Sequence, residues 1–128
     1  MDPIADMLTK IKNAQAVGKK TVSFPFSSVK YNIARILERE EFIEYAKKRG
    51  KKTKRILVRL KYQEVGKPRI HDIKRISKPG RRIYLKSKDI YSPKSGYGLL
   101  IISTPKGVLT SKEARKMKTG GEVLCEIW

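Results

Sequence analysis

The sequence is short of the residues that most enzyme and metal chemistry needs. It has one cysteine, Cys125, and one histidine, His71. A single cysteine excludes an intramolecular disulfide framework and a multi-cysteine zinc site, and one histidine leaves no multi-histidine site and little for a Cys-His dyad. Acids are scarce, with 12 Asp+Glu against 31 Lys+Arg. Those that adjoin, such as Glu40-Glu41, read as a solvated helix end rather than a catalytic pair. The longest apolar run is Leu99-Leu100-Ile101-Ile102, far below the roughly 20 residues of a bilayer span. Asp2 follows Met1 with no apolar segment behind it, so no secretory signal is read and a cytoplasmic location is expected. No Gly-x-x-x-x-Gly-Lys-Ser/Thr phosphate loop occurs. Gly96-Tyr97-Gly98 precedes a strand instead of following one, and Ser103 lacks the Gly-x-Ser-x-Gly frame of a nucleophile elbow. His71 reads as a half-exposed strand residue or a minor phosphate contact. Cys125 alternates with Val123 and Ile127, which makes it a core residue. Neither an active site nor a cofactor or metal site is expected.

What is present is charge, unevenly spread. The formal net charge is +19 on 128 residues, and 39% of them are hydrophobic, enough for a core. Residues 1–46 carry a net +1, residues 47–90 a net +15 and residues 91–128 a net +3. A cationic surface this concentrated attracts a polyanion and speeds encounter with it. Nucleic acid is the expected partner, with Lys and Arg on its phosphates. The plainer reading is a merely solvated face. A membrane surface is not expected, because the basic stretch lacks the amphipathic pattern with exposed Trp, Phe or Leu.

Along the chain, Asp2-Pro3 opens a helix and Ile4, Met7, Leu8 and Ile11 form its apolar stripe. Thr21–Phe24 reads as a strand. Ser27 or Ser28 caps a second helix that buries Val29, Ile33, Ile36 and Leu37, with Glu38, Glu40 and Glu41 toward water. Phe42–Ala46 is strand-like, and Lys47 to Arg55 is a turn with seven positive charges. Ile56–Tyr62 completes a hairpin. Gln63 to Pro68, with Gly66 and Pro68, reads as a linker. Beyond it, Pro79-Gly80 marks a turn, Arg81–Leu85 a short strand, Tyr91–Gly98 a loop and Leu99–Ile102 a buried strand. Thr110 and Glu113 form a capping box opening a short helix, which Gly120-Gly121 ends. Val123–Trp128 is a closing strand. The expectation is an α+β fold of two small domains. Residues 1–65 form an α-β-α-β-β unit, and residues 66–128 a mostly β unit with one short helix.

The stretch Gly98 to Thr110 concentrates phosphate- and sugar-binding chemistry. A buried strand ends in Ser103-Thr104, Pro105 and Gly107 bend the chain, and a helix start follows. Hydroxyls, backbone amides and Lys106 suit phosphate oxygens, a ribose hydroxyl or a splayed base edge. An ordinary strand–turn–helix connection explains the same residues equally well.

At this point the sequence resembles the bacterial form of ribosomal small-subunit protein eight, over essentially the whole chain. Asp2-Pro3-Ile4-Ala5-Asp6-Met7-Leu8-Thr9 with Ile11-Lys12-Asn13-Ala14 is similar to the family's opening, and Ile36-Leu37 with Glu40, Phe42 and Ile43 to its second helix and strand. Arg75-Ile76-Ser77-Lys78-Pro79-Gly80-Arg81-Arg82-Ile83-Tyr84 resembles its central signature. The Gly98–Arg115 stretch and Gly120-Gly121-Glu122-Val123-Leu124-Cys125 complete the order. The resemblance implies a structural constituent of the small ribosomal subunit that binds a helix of the RNA's central domain and supports assembly. It implies neighbouring small-subunit proteins as partners, a monomer outside the ribosome, and in many bacteria repression of its own operon messenger RNA. By resemblance Ser103, Thr104, Lys106 and Gly107 form the contact loop, with Tyr84 near it and Glu122 as an orienting residue. Lys78, Arg81 and Arg82 of the signature, Lys51, Lys52, Lys54 and Arg55 of the basic turn, and Lys30 complete the expected contact set. One departure is Pro105, where the family usually has serine; it removes a hydroxyl and an N–H donor. The competing function is a non-specific basic RNA-binding or chaperone protein. An RNA-modifying enzyme would need a carboxylate or histidine constellation that is not present.

Overall fold

The computed structural model describes residues 2–64 and 66–128. The chain forms two compact units, one of Pro3–His71 and one of Asp72–Trp128 with the N-terminal Asp2.

In the N-terminal unit, helix α1 spans Pro3–Ala16; Met7, Leu8 and Ile11 of the expected stripe are buried together with Ala14, while Ile4 is only partly buried. Strand β1 is Thr21–Pro25. Helix α2 spans Ser28–Arg39, capped by Ser27, whose side chain accepts from Lys30 N. Strands β2 (Ile43–Arg49) and β3 (Arg55–Leu60) follow, giving an antiparallel sheet in the order β1-β3-β2. The helix α2 face differs from expectation in two places. Val29 is exposed, while Lys30 is buried beside Ile33, Ala34, Ile36 and Leu37. Glu38 does not simply face water: it pairs with Arg35 and accepts from Ala46 N at 2.8 Å, tying α2 to β2. Strand β2 also runs further into the basic segment than expected. Lys47, Lys48 and Arg49 pair with Leu57, Ile56 and Arg55, leaving a shorter turn.

The expected linker is structured. Strands β4 (Tyr62–Glu64) and β5 (Lys67–Pro68) pair antiparallel; Val65, at the centre of the expected break, lies outside the described residues. Arg69 N donates to Lys61 O, and Gln15 Nε2 donates to Ile70 O at 3.0 Å. These bonds tie Arg69 and Ile70 to the N-terminal unit, which as a compact unit runs through His71. His71 is exposed and outside any strand.

The C-terminal unit is built on strand β10 (Gly121–Ile127). Strands β6 (Ile73–Arg75) and β7 (Tyr84–Leu85) share one side of it, and β8 (Leu99–Thr104) takes the other. Strand β9 (Gly107–Thr110) pairs with β8 beyond. The segment expected to run from strand through loop to helix is therefore a β-hairpin, Ser103 and Thr104 lying within β8 and pairing with Val108 and Gly107. Helix α3 (Ser111–Lys116) carries the capping box, Thr110 accepting from Glu113 N and the Glu113 side chain from Thr110 N. Ser111 Oγ, fully buried, accepts from Leu100 N and ties α3 to β8. Ile90, Leu100, Ile102, Ala114 and Val123 form one core cluster. A bulge between Val123 and Cys125 breaks the strict alternation, so Leu124 is buried together with both neighbours. Thr110→Ala should lower the unfolding free energy by about 1 kcal/mol, read as a lower midpoint in urea with an unchanged slope.

Candidate nucleic-acid interface

The register of the C-terminal sheet gathers three of the expected contact residues into one row. Glu122 pairs with Tyr84 on β7 and with Ser103 on β8, and Ser103 pairs with Val108 on β9. Paired residues on neighbouring strands share a face with Cβ atoms about 5 Å apart, so Tyr84, Glu122 and Ser103 stand side by side. Tyr84 is 66% exposed. Gly121 makes the close approach possible, since a Cβ there would overlap the Ser103 carbonyl oxygen.

Glu122 does not stand as a bare carboxylate against a polyanion. Arg82 Nη1 donates to Glu122 Oε2 at 2.9 Å, with the Glu122 side chain only 15% exposed. That hydrogen bond first, and the Glu122 charge next, hold the Arg82 guanidinium protonated even more firmly than usual. The pair holds Arg82 against Glu122.

The hairpin tip is shaped from within. Thr104 Oγ1 donates to Gly107 O at 2.8 Å and accepts from Lys106 N at 3.1 Å. Gly107 has φ +115°, a left-handed conformation that a side chain would strain. Lys106 Nζ donates to Met117 O at 3.1 Å, just past the end of α3. The Thr104 hydroxyl and the Lys106 ammonium thus brace the turn.

Lys78 and Arg81 are exposed on the loop that joins β6 to β7. In the N-terminal unit, Lys51, Lys52 and Lys54 are exposed in the turn between β2 and β3, and Arg55 is exposed at the start of β3 with Nε donating to Ser23 Oγ at 2.8 Å. Lys47, Lys48 and Arg49, expected in the basic turn, are exposed and carry this cationic stretch along β2 instead. Lys30 is placed differently. It is 7% exposed, with Nζ 5.7 Å from the centre of the Phe24 ring. Burial chiefly, then Lys10 and Arg55, pull its ammonium below the usual lysine range, with Asp6 acting in the opposite sense. It is a packed residue of α2 and not part of the exposed cationic surface.

Cys125 is buried, and burial pushes its thiol up to about 12 against an opposing pull from Arg75; the thiol stays protonated in the core. Among the described residues, no three His, Cys, Asp or Glu side chains gather to hold a metal ion. Among the same residues no helix is long and apolar enough to cross a membrane. The arrangement offers hydroxyls, an exposed aromatic ring and cations.

Comparison with known proteins agrees with this inventory. The family model described as ribosomal protein S8 matches residues 2–128. The chain is 50% identical to the small ribosomal subunit protein uS8 of Syntrophus aciditrophicus, over 99% of this chain and 97% of that protein. It is 52% identical to the protein of the same name from Chloroflexus aurantiacus, with the same coverage. It is 45% identical to the small ribosomal subunit protein uS8c of Chlorella vulgaris, over 99% of this chain and 98% of that protein. These relatives carry names of ribosomal proteins and not of enzymes. A family match spanning nearly the whole chain, with relatives near half identity over 97% of their own length, settles the affiliation: the chain belongs to the ribosomal protein S8 family.

Proposed function

We propose that the chain is a structural constituent of the small ribosomal subunit, resident in the ribosome in the cytoplasm, and that it binds the subunit's RNA directly. The observation that carries this reading is the row of Tyr84, Glu122 and Ser103, with Arg82 anchored on Glu122 and the braced hairpin tip beside it. Such a row recognises RNA by shape, hydroxyl contacts and stacking. The net +15 of residues 47–90 adds sequence-independent attraction to phosphates. Ser103, Thr104, Lys106, Gly107, Tyr84, Arg82 and Glu122 form the specific contact, Lys78 and Arg81 its flank. Lys51, Lys52, Lys54 and Arg55 give general affinity. The target is a helix of the central domain of the small-subunit RNA, whose assembly the protein supports among neighbouring ribosomal proteins. A similar fold in its own messenger RNA would be bound by the same surface.

Chemical footprinting on full-length small-subunit RNA tests the reading. Protection confined to one helical segment of the central domain is expected, and protection scattered along the whole RNA would contradict it. Replacing Lys51, Lys52 and Lys54 together by alanine should weaken every RNA alike and lower the slope of log K against log salt by about one for each phosphate these lysines hold. Selective weakening of the central-domain helix would instead move these residues into the specific contact.

A further inference from the structure

The C-terminal unit contains a buried hydroxyl to which the contact surface gives no role. Ser77 is 0% exposed. Its Oγ accepts from Ile83 N at 2.9 Å and donates to Ile83 O at 3.2 Å. One side chain thus grips both backbone groups of a residue further along the chain and closes the segment between them. Inside this clasp, Lys78 and Arg81 exchange both of their backbone hydrogen bonds, at 3.0 and 2.9 Å, folding Pro79-Gly80 into a turn. The base of the clasp is joined to β10. Ser77 N donates to Val123 O at 3.2 Å, and Val123 N to Ile83 O at 2.9 Å.

The five enclosed residues are Lys78, Pro79, Gly80, Arg81 and Arg82, with three cations and no acid. All five are exposed. Arg82 is turned to Glu122 and neutralises the carboxylate of the row. Lys78 and Arg81 stand at the two ends of the turn. Like charges so close in a free loop would spread apart. Here the clasp holds their backbones at fixed separation, with its base bonded to Val123, the residue after Glu122 on β10.

We propose that Ser77 is a positioning residue, which holds the 78–82 loop as a preformed grip for successive phosphates of an RNA backbone, with Lys78 and Arg81 on the phosphates. The inference rests on the RNA-binding reading above and assigns a phosphate-holding element to that same surface. Preforming the grip removes the ordering cost that a flexible basic loop meets on binding.

Ser77→Ala tests it because the substitution changes no charge. Binding is measured with a hairpin from the central domain of small-subunit RNA and with a plain RNA duplex, across a salt series, per folded protein counted by circular dichroism. Ser77→Ala should make the slope of log K against log salt shallower by about one to two on both RNAs, since about one unit of slope belongs to each phosphate contact. A role in stability alone would leave that slope unmoved. Lys78→Ala with Arg81→Ala should lower the slope by about two, and adding Ser77→Ala to that pair should change it no further. Wild-type slope in folded Ser77→Ala would overturn the proposal. If Ser77→Ala does not fold, the surface pair decides, and an unchanged slope there overturns the grip. Failure of the wild-type protein to prefer the hairpin would sink the site-specific reading instead, while the slope on the duplex still reads the loop.

Discussion

Gly121→Ala should destabilise the protein by about 2–3 kcal/mol, the cost of forcing an extra carbon into a packed site. The new Cβ would overlap the Ser103 carbonyl oxygen and crowd Thr104 Cα, and both are backbone atoms that cannot swing aside. Relief requires β10 to move away from β8 where Glu122 meets Ser103. The same substitution should therefore damage the row of Tyr84, Glu122 and Ser103. The expected result is a lower urea midpoint at unchanged slope, together with a reduced preference for the cognate RNA hairpin under conditions where the variant is still folded. A variant with wild-type midpoint would mean that the two strands separate at little cost and that the close approach is not required. A variant less stable but with wild-type RNA preference would detach the row from recognition.

Replacing Ser103 and Thr104 together by alanine should weaken the cognate hairpin by roughly 1–3 kcal/mol and leave its salt slope as it was. The two hydroxyls act differently. Ser103 lies in register with Glu122, and in the proposed reading its hydroxyl meets the RNA from the row. Thr104 spends its hydroxyl on the turn, donating to Gly107 O and accepting from Lys106 N. Removing the first deprives the RNA of a partner, and removing the second loosens the tip that carries Lys106. Thr104→Ser should then keep most of the affinity that Thr104→Ala forfeits. Both hydroxyls lie outside the fully buried core, so thermal stability should change little. A double variant that binds the hairpin as tightly as the wild type would remove the hairpin tip from the specific contact. A drop in salt slope would show instead that the pair acts through phosphate binding.

The sequence announces the elements whose signals are local. Ser27 and Thr110 cap helices where their side chains predict it, and the capping box of Thr110 with Glu113 forms as read. Of the stripe expected on α1, Met7, Leu8 and Ile11 are buried at their 3.6-residue spacing, and Ala14 one turn on extends it while Ile4 at the helix start is only partly buried. Non-local features stay hidden. Strand β9 is four residues beginning with a glycine two positions after a proline, too short to show a period, so Gly107–Thr110 reads as a loop. Glycine and proline at positions 66 and 68 look the same in a linker and in the β4–β5 hairpin. Lys30 is buried near the Phe24 ring while Val29 is exposed, although Ile33, Ile36 and Leu37 are buried as their spacing predicts; which of the neighbouring residues 29 and 30 packs is decided by tertiary contact. Burial of Leu124 comes from a bulge that no alternation pattern shows.

The candidate interface divides in the same way. Composition and spacing single out Ser103, Thr104, Lys106 and the cations of the middle third. The row that joins Ser103 to Glu122 and Tyr84 depends on the register of three strands far apart in sequence. The anchoring of Arg82 on Glu122 and the bond from Lys106 to Met117 O are tertiary in the same sense. Ser77 had a legible signal, a hydroxyl residue just before a Lys-Pro-Gly turn, because serine at such a place commonly bonds nearby backbone.

The most direct test of the central claim, site-specific RNA recognition added to bulk electrostatic attraction, is a binding titration over a salt series with two RNAs. One is a short hairpin from the central domain of small-subunit RNA, and the other is the same nucleotides rearranged into a plain duplex. Tighter binding to the hairpin is expected, with a gap in affinity that persists as salt weakens the shared phosphate contacts. Equal binding to both RNAs, falling together as salt rises, would contradict the claim and leave a protein that binds RNA by charge alone.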